Sequence, residues 1–469
     1  MRGSILTLAI ALASASAPAF AAAPAAEAQT ADARLQAIGI APSAARIEAD
    51  VRTLAGFGTR HTLSDWTSDT RGIGAATRWL KAQFEKISRD CGGCLEVIEV
   101  ADTVSGERIP KPTRVVDVVA IQRGSADPDR VVMMSGDIDS RVSDVMDATS
   151  DSPGANDNAS GLAGTLEAAR VLSKYRFPAT IVYAGLSGEE QGLYGGRILA
   201  AYAKAQGWRI EAELNNDMIG NSSGLNGVVD NTTARVFSEG TRVVETAEEA
   251  RERRFSGGEV DSASRNVARY IDRMADYVPN LDVMMVYRLD RFGRGGHHRP
   301  FNEAGYPGVR VMETNENYTR QHQDLRVEDG IRYGDVVEGV DFAYAAKLTA
   351  LNAVSLAGMA WAPPPPAGVT IEGAVTADTT LKWQRPPAAQ APNLAGYRIY
   401  WRPTDAPQWD RSLYVGDVDA HTLKNMVIDN YFFGVAAVAK DGSESPVVFP
   451  GAAGSFGSYS AAATGEAKH

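Results

Sequence analysis

Thr180-Ile181-Val182-Tyr183-Ala184-Gly185-Leu186 runs directly into Ser187-Gly188-Glu189-Glu190-Gln191-Gly192-Leu193, and then into Tyr194 to Ala205. The first run is apolar and rich in β-branched residues, as a strand buried on both faces must be. The last has helical spacing. Between them, two adjacent glutamates occupy a glycine-rich turn. The same alternation continues on either side. Val115 to Ile121 and Val131 to Met134 read as buried strands, Leu162 to Tyr175 as a helix ending before Pro178, and Ile210 to Met218 as extended. Buried strands alternating with helices predict an α/β fold: a mixed, mostly parallel sheet flanked by helices on both faces. In such sheets ligands gather at the strand C-terminal ends.

The surrounding chain sets the limits of that domain. A length of 469 residues allows two to four domains at about 100–200 residues each. Hydrophobic residues at 44% and charged residues at 22% describe a globular chain, not a disordered or fibrous one. A net charge of −11 speaks against nucleic acid as a partner, which needs a basic footprint. Residues 1–21 read as an export signal, with Arg2 at the start, an apolar run from Ile5 to Ala15, and the small-x-small site Ala19-Phe20-Ala21. That run is too short to span a bilayer as a helix, so the expectation is an exported protein, periplasmic or secreted, with no membrane span. An Ala/Pro-rich lead-in over 22–33 follows.

Export makes Cys91-Gly92-Gly93-Cys94 a candidate disulfide. The pair sits after the helical pattern Ile73, Leu80, Phe84, Ile87 and before the strand-like Leu95 to Val100, which suits a structural clip of small stabilising effect. The large domain extends over 34–360, and residues 361–367, with Pro363 to Pro366, form a stiff linker. Beyond it, 368–455 carries short alternating strands that predict an all-β sandwich domain, and 456–469 a disordered tail. The sandwich resembles a fibronectin type III module in its Trp383 strand, its Gly396-Tyr397 strand start and Tyr431 at the corner position. The resemblance implies a binding or spacing role, with a surface or polymer as ligand.

Four acidic clusters fall where strands end or helices begin: Ser135-Gly136-Asp137-Ile138-Asp139-Ser140, Gly154-Ala155-Asn156-Asp157-Asn158-Ala159-Ser160-Gly161, Ser187 to Leu193, and Asn215-Asn216-Asp217-Met218. Each alone is ordinary loop and cap chemistry. Together at one sheet edge they crowd like charges, a costly arrangement unless cations neutralise it. With six histidines and two cysteines in the chain, a metal site must lean on carboxylates.

These clusters, in this order, resemble the co-catalytic zinc exopeptidases of metallopeptidase family 28. The similarity spans roughly Asp50 to Ala350, and Asn156-Asp157-Asn158-Ala159-Ser160-Gly161 and Gly188-Glu189-Glu190-Gln191-Gly192-Leu193 carry it most specifically. The resemblance implies a zinc peptidase domain acting on peptides or peptide-like substrates, with two zinc ions per chain. It assigns Asp157 as the bridging ligand, Asp217 to the first site, Glu190 and His322 to the second, and Glu189 as general base. The family's first cluster reads His-x-Asp, whereas this chain has Asp137-Ile138-Asp139. Asp137 remains a candidate ligand, in a weaker site open to other divalent metals. Asp139, the family's partner to the liganding histidine, loses the imidazole it would hold, and Arg141 is available to offset its charge.

Arg294-Gly295-Gly296-His297-His298-Arg299-Pro300-Phe301 resembles the family's Asp-His-x-x-Phe stretch, with His298 in the histidine position and His297 replacing the aspartate. His298 and Tyr318 are thereby candidate substrate-pocket residues. His61 and His421 read as structural or surface residues. The charged stretch Val228 to Tyr287 is expected to be helical and to shape the pocket. The family's carboxypeptidases usually carry an inserted apical domain, for which neither Asp139 to Asp157 nor Glu96 to Val131 leaves room, so the resemblance leans toward an aminopeptidase. A glutaminyl cyclase-like acyl transferase and a non-catalytic binding protein on the same scaffold are the alternatives.

Overall fold

The computed structural model describes residues 31–451. The expected signal over 1–21, most of the lead-in and the tail over 456–469 lie outside the described residues. Residues 31–33, placed in the lead-in by composition, open a helix instead.

Eight strands make one sheet: β1 (Glu96–Gly106), β2 (Ile109–Gln122), β3 (Asp127–Asp137), β4 (Ala179–Leu186), β5 (Arg209–Asn216), β6 (Thr233–Ser238), β7 (Asp282–Val286) and β8 (Gly308–Glu313). Their order is β1-β2-β4-β3-β5-β8-β6-β7. The central strands β4, β3, β5 and β8 are parallel. The strands β2 and β6 flank them antiparallel. All eight residues of β4 are buried, as its unbroken apolar run requires.

Nine helices accompany the sheet in the described residues: α1 (Ala31–Gly39), α2 (Ala44–Gly56), α3 (Gly72–Asp90), α4 (Ala159–Leu172), α5 (Tyr194–Ala205), α6 (Ala247–Ser256), α7 (Ala263–Met274), α8 (His298–Glu303) and α9 (Phe342–Trp361). On one face α4 and α9 form the inner layer, with α1, α2, α3 and α7 joining the same core. On the other, Leu199, Ala200 and Ala203 of α5 and Phe301 of α8 pack on Val119, Val131, Met133 and Val182. The close approach of α4 to the sheet needs glycine: a Cβ on Gly161 would lie 2.2 Å from the Asn216 carbonyl oxygen. That approach sets the α4 N-terminus against the ends of β3 and β5.

Two features differ from expectation. The stretch from Val228 to Tyr287 is not wholly helical: it contributes β6 and β7 to the sheet edge around α6 and α7. The strand β6 lies between β8 and β7, both far onward in the chain, so local pattern alone does not mark it. The linker is also shorter than 361–367, because Trp361 closes α9 and Ala367 opens the next strand.

A hairpin of β9 (Arg326–Glu328) and β10 (Ile331–Tyr333) follows His322. The C-terminal region comprises β11 (Ala367–Glu372), β12 (Thr379–Gln384), β13 (Leu394–Pro403), β14 (Arg411–Gly416), β15 (Ala420–Leu423) and β16 (Tyr431–Ala439). They form two antiparallel sheets, β11-β12-β15 and β14-β13-β16. Leu381, Trp383, Tyr397, Ile399, Phe433 and Val435 fill the space between them. Cys91 and Cys94 are disulfide-bonded, with Cα atoms 5.6 Å apart. Among the described residues, no helix is long and apolar enough to cross a membrane.

Candidate active site

Each acidic cluster is delivered by the C-terminal end of a parallel strand or by the helix packed against it. Asp137 is the last residue of β3, Glu189 and Glu190 follow β4, Asp217 follows β5, and the loop after β8 reaches His322. Asp157 immediately precedes Asn158, which caps α4 by accepting the Gly161 N–H at 3.0 Å. Positive φ angles at Met218 and His322 place two non-glycine residues at this edge in the left-handed region, which costs energy and concentrates at functional sites.

Three donor groups converge. His322 Nε2 lies 2.9 Å from Asp157 Oδ2 and 2.9 Å from Glu190 Oε1. Among the described residues this is the one group of three histidine, cysteine or carboxylate side chains whose donor atoms all lie within 4.8 Å of one another. Arg141 supports it: its Nε is 3.0 Å from Glu190 Oε2 and its Nη2 2.7 Å from His322 Nδ1. The charge of Arg141 thus goes to Glu190 and not to Asp139. Asp335 accepts the N–H groups of Asn156 and Asp157 at 2.9 and 2.7 Å and so fixes the Asp157 loop.

Asp139 has found other donors in place of an imidazole. Its oxygens accept the N–H of Glu189 at 3.2 Å, the N–H of Glu190 at 3.1 Å and the Thr62 hydroxyl at 3.0 Å. It therefore orients the glutamate turn itself. Asp137 Oδ1 lies 2.6 Å from His297 Nδ1, and Asp137 Oδ2 accepts from Asn158 Nδ2 at 2.6 Å. Asp217 Oδ2 is 2.6 Å from Arg310 Nη2, while its Oδ1 is buried without a hydrogen-bond partner.

Burial and like charge shape the proton affinities. Burial raises Glu189 well above the usual carboxylate range, with Glu190, Asp217, Asp137 and Asp157 adding to it. Burial likewise raises Asp137, helped by Asp217 and Asp139. Asp217 is pushed up to about 6 by burial, against the pull of Arg310. Burial opposes ionisation of Asp157, yet His322, Arg291 and Arg294 outweigh it and hold that carboxyl low. Burial alone would lower His322, but Glu190 and Asp157 prevail and raise it to about 10. A positive charge at the His322 position is what the two carboxylates demand.

His298 is fully buried, its Nε2 2.9 Å from the Leu289 carbonyl oxygen and 3.6 Å from Asp290 Oδ2. It ties the start of α8 to the preceding loop. Tyr318 is 55% exposed, and its hydroxyl donates to Glu316 Oε2 at 3.3 Å. His61 is buried near the site, with Nε2 2.9 Å from the Val145 carbonyl oxygen and 3.0 Å from Gln191 Nε2. His421 lies in β15, far along the chain from these clusters. Sequence reading missed Asp335 and Arg310. For Arg310 the signal was present: a cation between Val309 and Val311 in a buried strand needs internal anions.

A model of peptidase family M28 matches residues 117–332. A probable zinc metalloprotease of Leptosphaeria maculans is 45% identical over 412 residues, covering 87% of this chain and 94% of that protein. The chain belongs to peptidase family M28. A probable zinc metalloprotease of Pyricularia oryzae is 43% identical over 430 residues, covering 90% of this M28 chain and 85% of the relative. The crystal structure of LapB from Legionella pneumophila superposes with a TM-score of 0.51 at 17% identity, over 69% of this chain and 74% of that one. That last likeness is one of fold. In this zinc metallopeptidase family the donor chemistry of Asp157, Glu190 and His322, two carboxylates and one imidazole, fits zinc with a fourth position left for substrate or water.

Proposed function

We propose that this M28 peptidase is an exported aminopeptidase that hydrolyses N-terminal peptide bonds, with Glu189 as general base. The observation that carries the reading is the Asp139-held turn, which sets Glu189 beside a residue of the Asp157, Glu190, His322 group. Zinc bound by that group supplies Lewis-acid polarisation of a carbonyl and acidification of water. Glu189 takes the proton of the attacking water and returns it to the departing amine. Arg141 keeps Glu190 and His322 in place. Asp139 fixes the backbone of Glu189 and Glu190 through their N–H groups.

Support for the amino-terminal direction is the short connection from Asp139 to Asp157 and the plain β1–β2 hairpin, neither of which holds an inserted domain. Support for export is the signal-like start and the Cys91–Cys94 disulfide, in keeping with an oxidising compartment. The C-terminal sandwich, which we assign to the fibronectin type III class, would hold a surface or polymer ligand.

A glutaminyl cyclase-like activity is the second reading, favoured by the closure of a single donor trio. Purified protein incubated with leucyl-nitroanilide and with an N-terminal glutaminyl peptide separates the two. Nitroaniline release and stepwise shortening are expected. Ammonia release without shortening would replace the peptidase reading.

A further inference from the structure

The six acidic residues of the site divide into those that converge on one another and those that have internal partners. Asp157 and Glu190 meet at His322. Asp137 has both oxygens engaged, one by the His297 imidazole and one by Asn158, each at 2.6 Å. Asp217 carries the Arg310 guanidinium on Oδ2 at 2.6 Å, with Arg291 Nη2 at 4.0 Å from the same oxygen. Arg310 is fully buried and also bound by Asp290 at 3.1 Å and by the Gly295 carbonyl at 2.8 Å, so it cannot withdraw without stranding other groups.

Asp137 and His297, where the resemblance expects a histidine and an aspartate, touch. A carboxylate stands where the pattern has an imidazole, and an imidazole where it has a carboxylate. In this chain the two side chains form a buried pair, His297 Nδ1 against Asp137 Oδ1. His297 is wholly buried and wedged against α5, since a Cβ on Gly196 would come within 2.9 Å of its Cδ2. His297 Nε2 and Asp217 Oδ1 have no hydrogen-bond partner, yet no group of three donors containing either closes to within 4.8 Å among the described residues.

We infer that this chain holds a single zinc, at Asp157, Glu190 and His322, and that the Asp137–His297 and Asp217–Arg310 pairs stand in place of a second ion. The inference rests on the metal role given to that trio above, and it departs from the two-ion expectation that the resemblance carried. It also predicts which histidine matters for metal: His322 and not His297.

The test is metal counting on the full chain, stripped with chelator, reloaded with excess zinc chloride, desalted and analysed by elemental mass spectrometry. One equivalent is expected for the native protein and for His297→Gln, and none for His322→Ala. Two equivalents in the native protein, or a loss of bound zinc in a folded His297→Gln variant, would overturn the single-ion inference while leaving the trio intact. No bound zinc in the native protein would instead remove the trio and the proposed mechanism with it. Should His297→Gln fail to fold, the native count still decides.

Discussion

The Asp261 carboxylate grips the Arg402 guanidinium where the α/β region meets the C-terminal β sheets, one nitrogen reaching both oxygens at 2.9 and 2.8 Å. Both side chains are buried, and Asp261 also receives Arg269 at 2.7 Å. Around them, Trp409 Nε1 donates to Asn266 Oδ1 at 3.0 Å and Gln408 Nε2 to Asp272 Oδ2 at 2.7 Å. A module joined only by its proline-rich linker would show none of this. Asp261→Ala leaves two buried guanidinium groups without their counter-charge, a change that costs about 3–5 kcal/mol. Denaturant unfolding should show that loss, and in the native protein the α/β region and the C-terminal sheets should unfold in one transition. Two separate native transitions, or an Asp261→Ala variant of native stability, would show that the junction is only a contact.

Glu213 on β5 is fully buried and accepts the Ser135 hydroxyl at 2.6 Å, its second oxygen without a partner. Burial raises its carboxyl from 4.5 to about 8, against the Ser135 hydrogen bond. The folded state therefore prefers the protonated form, and this stability is fully present below 4.5 and is lost as pH rises through about 8. Each unit of displacement is worth about 1.4 kcal/mol. Glu213→Gln, which keeps the acceptor for Ser135, should flatten the fall in melting temperature across that window. An unchanged slope would place the titration elsewhere.

The fold was largely legible from residues whose environment is local. The all-apolar β4 and the helix from Tyr194 to Ala205 occur where the pattern places them, because burial on both faces and helical spacing are written in consecutive residues. The strands β6 and β7 were not, since β6 pairs with the distant β8 and β7 pairs with β6, and neither is set by its own alternation. At the site, strand-end placement of the acidic clusters was legible for the same reason. What Asp137, Asp139 and Arg141 bind was not: each takes a partner from a distant segment, His297, the 189–190 turn and His322 respectively. Side-chain choice among several nearby acids is settled by three-dimensional competition that spacing does not encode.

Glu189 and Glu190 are neighbours with separate duties, and substitution should divide them. Glu189→Gln retains size and the backbone contact to Asp139 but abolishes proton transfer. Turnover should fall about 10²–10⁴-fold, the usual worth of a positioned base, with zinc content unchanged. Activity near the native level would remove Glu189 from that role, and a loss of zinc would make it a ligand. A chain that only binds ligand would show no turnover in the native protein either.

Arg141 offers the sharpest check on how the zinc site is held. Its guanidinium spans Glu190 Oε2 at 3.0 Å and His322 Nδ1 at 2.7 Å, so it fixes two of the three donors from outside. Groups that orient metal-binding side chains typically contribute 10–100-fold in affinity. Arg141→Met keeps the aliphatic length and removes both contacts. Zinc affinity, measured by competition with a chromophoric chelator, should fall by about that factor. Lysine should recover only part of the loss, since one ammonium cannot reach two acceptors in the fixed geometry of a guanidinium. Native affinity in Arg141→Met would mean that Asp157, Glu190 and His322 hold their positions through backbone placement alone.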